Sequence, residues 1–60
     1  MQQAAEIKAL RQALGLTQEA LARRIGVSWS TVAKWEMGRS NPSPLAREKI
    51  DKLQDEARSR

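Results

Sequence analysis

The sixty-residue chain has no cysteine, no histidine, no tyrosine and no phenylalanine. Without cysteine there is neither a disulfide framework nor a thiolate zinc site. Without histidine there is no imidazole base and no imidazole metal ligand. No apolar run approaches the roughly 18–20 residues that cross a bilayer, and no charged-then-apolar start reads as a signal peptide. These features predict a cytoplasmic protein. Aromatic volume is confined to Trp29 and Trp35, and nine of the 24 apolar residues are alanine. Such a composition suits short helices packed through small residues. It is too thin to enclose a substrate pocket of several hundred Å³. At this length the chain predicts one small domain, which buries only about 60% of its unfolded surface.

Eleven Lys and Arg stand against seven Asp and Glu, a net charge of +4 that favours polyanionic partners. Punctuation splits the chain into helices over about 2–14, 18–25, 29–37 and 44–58. The first carries Ile7, Leu10 and Leu14 at i, i+3 and i+7. Gly15, Gly26 and Gly38 stop the first three helices, and Thr17 and Ser28 are placed as N-caps of the second and third. Asn41-Pro42-Ser43-Pro44 makes a loop whose Ser-Pro step opens the fourth helix. There Ala46, Ile50, Leu53 and Ala57 recur at 4, 3 and 4. Arg47/Asp51, Glu48/Lys52, Lys52/Glu56 and Glu56/Arg60 set opposite charges four apart. No run alternates with period two. The fold class is all-α: a compact domain of four helices, or five if a terminal turn is counted.

The informative window is Gln18 to Met37. Two short helices joined by Ile25-Gly26-Val27-Ser28 cross at roughly 90–120°, with Ala22 where the backbones approach. Leu21, Ile25, Val27, Val32 and Trp35 are apolar at the positions to be buried. Trp29, Ser30, Ala33 and Lys34 remain outward, with Thr31 at the margin. Gln18 sits at the positive end of the second helix, where amide and backbone N–H groups meet anions.

This chain resembles the helix-turn-helix family of lambda-type phage repressors, Cro proteins and their bacterial XRE-family relatives. The resemblance runs from about Ile7 to Leu53. It rests on Leu16-Thr17-Gln18-Glu19-Ala20-Leu21-Ala22, the Gly26 turn and Lys34-Trp35-Glu36-Met37-Gly38-Arg39. It implies a double-stranded-DNA-binding transcriptional regulator, a repressor, with the third helix in the major groove. By position it assigns base contacts to Trp29, Ser30, Ala33 and Lys34, with Lys34 suited to guanine O6 and N7 and Ala33 to a thymine methyl. Phosphate contacts fall to Thr17, Gln18, Ser28, Thr31, Arg39 and Asn41. Glu36 pairs in the family with a basic residue of the first helix, here Arg11, giving a partly buried bridge. The sequence departs from many relatives in having Trp29 and Ser30 where they carry amides or arginine. Its loop after the third helix is also uncharged, and a fifth helix is expected to be missing.

Bland roles compete with several of these. Trp35 is expected in the core, whereas Trp29 either contacts a partner or folds back over the second helix or Val32. Arg23 and Arg24 are expected on a solvated face. The Ala46-Ile50-Leu53-Ala57 stripe covers the open side of the first three helices or forms a dimer seam through Ile50, Leu53 and Ala57. The combined reading places Leu45 and Ile50 inward and Leu53 and Ala57 outward. The expected partner is a palindromic operator bound by two copies, with no cofactor, metal or membrane. The alternative is a protein-interaction module or antitoxin on the same scaffold, for which an outward Trp29 is an anchor. An enzyme is not expected, because Glu19, Glu36 and Asp51 lie on separate helices with no nucleophile–base logic. RNA is disfavoured because an A-form major groove is too narrow for the third helix.

Overall fold

A computed structural model describes residues 2–59, which form α1 (Gln2–Ala13), α2 (Gln18–Ile25), α3 (Trp29–Glu36) and α4 (Pro44–Arg58), with no strand among them. Three of the four starts are hydroxyl caps. Thr17 Oγ1 accepts from the Ala20 N–H at 3.0 Å, Ser28 Oγ from the Thr31 N–H at 3.3 Å, and Ser43 Oγ from the Ala46 N–H at 3.2 Å. Each satisfies a first-turn donor that the helix itself leaves free. Helix α3 ends one residue before the expected Met37, because the chain closes there with reversed bonds. The Gly38 N–H reaches the Trp35 carbonyl at 3.1 Å and the Arg39 N–H the Lys34 carbonyl at 2.9 Å.

The α2–α3 turn depends on Gly26. Its φ of +92° lies in the left-handed region. Its N–H and that of Val27 both bond to the Ala22 carbonyl, at 2.8 and 3.0 Å. The chain thereby leaves α2 and enters α3 within three residues, which fixes the pose of α3 against its neighbour.

Apolar spacing on each helix converges on one core: Ile7, Leu10 and Leu14 with Leu21, Ala22 and Ile25, then Val32 and Trp35, then Ala46, Ile50 and Leu53. Leu16, Val27 and Ala57 pack around it. Helix α4 thus closes the three preceding helices. The expected orientation of its apolar residues needs correction. Leu45 is 66% exposed, Leu53 is 7% exposed, and Ala57 packs on the core. At 3.6 residues per turn, Leu45 and Ile50 point about 140° apart, so both cannot face inward. Ile50 and Leu53 are consumed by the core and cannot form the suggested dimer seam.

The α4 ion pairs also differ from the local pattern. Arg47 pairs with Asp51 at 3.1 Å as the spacing predicts, but it also grips Glu6 of α1. Neither Glu48/Lys52 nor Lys52/Glu56 pairs among the described residues, since Glu56 instead meets Arg24 of α2 at 2.8 Å. The Glu56/Arg60 pair lies outside the described residues.

A β-carbon added at Gly26 would meet only Lys49 Nζ at 3.7 Å, an ordinary contact. The cost of Gly26→Ala is therefore that of the left-handed backbone, about 1–2 kcal/mol. Thermal unfolding followed by circular dichroism should show a clearly lowered Tm. An unchanged Tm would mean that the turn tolerates another backbone conformation.

Candidate nucleic-acid interface

The outward face of α3 is built from residues that the core does not use. Val32 and Trp35 are buried at i and i+3. Trp29, Ser30 and Lys34 are thereby exposed, and Ala33 and Thr31 are half-buried at the flank. Met37, just beyond the helix, is also exposed, a position the sequence reading had not singled out. Ser28, Ser30 and Thr31 form a hydroxyl cluster, with Ser28 Oγ 2.8 Å from Thr31 Oγ1 and 3.2 Å from Ser30 Oγ. Arg39 and Asn41 are exposed beyond Gly38.

The only acid on α3 is Glu36, and its side chain is just 5% exposed. Arg11 donates Nε–H to Glu36 Oε2 at 2.7 Å and Nη2–H to Oε1 at 3.2 Å, a two-pronged contact. Its remaining nitrogen, Nη1, donates to the Leu16 carbonyl at 3.1 Å. Burial alone would raise the Glu36 pKa. Hydrogen bonds from Arg11 and Gln18, with the charges of Arg11 and Lys8, outweigh it and hold the carboxyl below its ordinary value.

Gln18 proves more constrained than its place at the start of α2 suggests. Its Nε2 donates to Glu36 Oε1 at 3.1 Å, while its Oε1 accepts from the Trp29 indole N–H at 3.1 Å. One amide N–H is left for an external acceptor. The indole is held by Gln18 at the start of α2, so the ring leans toward the second helix while 61% of Trp29 stays exposed. Trp29, Gln18, Thr17, Glu19 and Arg11 line an open hollow of about 360 Å³ beside the α2 N-terminus. The Thr17 hydroxyl oxygen is used in capping, which leaves its proton available to donate.

Five of the acids are matched within the scaffold: Glu6, Glu36, Asp51, Asp55 and Glu56 all lie against arginines. Glu19 and Glu48 are exposed without an ion-pair partner among the described residues, Glu19 on the hollow beside Trp29. Lys34 and Arg39 have no carboxylate partner among the described residues. Local spacing does not reveal the contacts of Glu6, which accepts from Arg47 at 2.9 and 2.6 Å and from Gln54 at 2.6 Å. Those bonds bring its pKa down to about 2. The partners are 41 and 48 residues away, so only the pairing of α1 with α4 brings them together.

Two capped helices crossing at a left-handed glycine, with an acid-free outer face on the second, are the features of a helix-turn-helix unit. A family model described as helix-turn-helix matches residues 7–53, and the chain belongs to this family. An uncharacterized HTH-type transcriptional regulator of Methanothermobacter thermautotrophicus is 46% identical over 44 residues. The aligned part is 73% of this chain and 64% of that relative, so the chain spans somewhat under two thirds of the relative's length. No solved structure matches.

Removing Glu36 would leave Arg11 half-buried and unneutralised. Glu36→Ala should destabilise the protein by about 3 kcal/mol, near the lower bound for breaking a buried pair. Urea unfolding checks this, and an unchanged midpoint would contradict it. Both Glu6 and Glu36 have lowered pKa values, so their stabilisation is complete above the unfolded-state value near 4.5 and is lost as pH falls through the folded-state value, which for Glu6 is about 2. Stability measured from pH 5 to 2.5 should fall, and Glu6→Gln should flatten that fall. A parallel profile in the variant would contradict the assignment.

Proposed function

We propose that this chain regulates transcription by binding double-stranded DNA, with α3 in the major groove and the N-terminus of α2 on the phosphate backbone. The carrying observation is the outer face of α3, where every exposed group is neutral or positive and the sole acid is buried against Arg11. An anionic partner can approach this face without meeting a carboxylate on α3. Family membership supports the same reading, as does the name of the Methanothermobacter relative.

In this reading Lys34 reads guanine through O6 and N7, Ser30 and Ala33 meet neighbouring base edges, and Trp29 lies against the outermost base. Thr17, Gln18, Ser28, Thr31, Arg39 and Asn41 position the backbone. Occupancy of an operator, without chemistry, makes the protein a repressor. Two copies occupy a palindrome with half-site centres about 34 Å apart. Because Ile50 and Leu53 are in the core, the copies pair on DNA or through another surface.

Exposed Trp29 supports a second reading, a protein-interaction module on the same scaffold, because exposed tryptophan is a frequent interface anchor. Selection of duplexes from a random pool separates the two. DNA recognition predicts an enriched palindrome, loss of one base preference in Lys34→Ala, and a log–log salt slope near about −4.5 for about five phosphates per copy. A flat salt response with no enrichment would favour the protein-interaction reading.

A further inference from the structure

We infer that Trp29 recognises a thymine through its 5-methyl group, with the indole N–H withdrawn from base recognition. This rests on the DNA-binding reading above. An indole has a single polar atom, and here that N–H is committed to Gln18 Oε1 at 3.1 Å. The commitment is not one of two equivalent amide orientations. The Glu36 carboxylate, gripped by Arg11, can only accept, so Gln18 must turn its NH2 toward it, as the 3.1 Å contact requires. Flipping the amide would set its carbonyl against the carboxylate and its NH2 against the indole N–H. The Gln18 carbonyl is therefore held where Trp29 needs an acceptor, and a chain of bonds runs from Arg11 through Glu36 and Gln18 to the ring.

What Trp29 then offers outward is carbon, on a residue that is 61% exposed. Among major-groove base edges the apolar feature is the thymine methyl, while guanine, adenine and cytosine present polar groups that carbon cannot satisfy. Trp29 is the group that touches the base, and the bond to Gln18 serves to occupy the indole N–H. A docked guanine would need the indole N–H as a donor and would leave the Gln18 carbonyl without its partner.

The test replaces each thymine of a bound duplex in turn by uracil, which removes only the methyl. Affinities are measured by fluorescence anisotropy for the parent chain, Trp29→Phe and Trp29→Ala. Because Trp29 is exposed, both variants should fold, and circular dichroism checks that they do. One thymine per half-site is expected to be uracil-sensitive, by about fourfold, the factor corresponding to burial of one methyl. Trp29→Phe, which keeps an aromatic ring without the N–H, should retain the sensitivity. Trp29→Ala should bind thymine and uracil duplexes equally. The inference is overturned if no uracil effect depends on Trp29, or if Trp29→Phe loses discrimination as fully as Trp29→Ala. Absence of binding to every duplex would overturn the DNA reading itself, and this inference with it.

Discussion

Arg11 and Glu36 stand twenty-five residues apart on different helices, and their contact ties the outer helix of the pair to the scaffold. Helix α3 is only eight residues long and could not hold a pose in isolation. Two buried side chains, Val32 and Trp35, anchor its inner face, but apolar contacts are not directional. The two-pronged guanidinium–carboxylate contact supplies direction. It also removes from α3 the one negative charge that would repel a polyanion. In the proposed complex with DNA, stability and binding would meet in this one ion pair, because Arg11 neutralises the Glu36 charge inside the protein.

The same carboxylate extends its influence to the surface through Gln18 and Trp29. Each link is a single hydrogen bond of ordinary length, and those beyond Glu36 are modest individually. Their weight lies in orientation, because a carboxylate that only accepts decides which way the amide faces. Elsewhere several charges serve the scaffold. Arg47 clamps α4 to Glu6 of α1, and Arg24 links α2 to Glu56. This leaves Lys34 and Arg39 as cations without partners among the described residues around α3.

Much of this was legible in the residues. Glycine stops and hydroxyl caps mark the helix limits because each satisfies backbone groups at a helix end, a requirement local in sequence. Trp35 reads as core from its three-residue offset to Val32. The errors have a common origin in relations that no local spacing encodes. Leu45 looked like a core residue from its type, yet its angular offset from Ile50 places it in solvent. Glu56 has a favourably spaced Lys52 but pairs with Arg24, which is brought near only when α4 closes over α2. The Gln18 amide reads as a phosphate donor from its position at a helix start, but its orientation depends on a carboxylate eighteen residues later. Glu6 and Gln54 meet solely through the register of α1 against α4.

The central claim is that the α3 face carrying Trp29 is the surface that meets DNA, held in place by a protected interior. The chain's two indoles offer separate reporters of these parts, one exposed and one buried. A titration of the ¹⁵N-labelled protein with duplex DNA, followed through indole and backbone amide resonances, tests it directly. The account predicts shifts at the Trp29 indole and at the amides of Gln18, Lys34 and Arg39, with the Trp35 indole nearly unmoved. Shifts confined to Ala9, Ala13 and Ala57 on the α1–α4 side, with Trp29 silent, would contradict it.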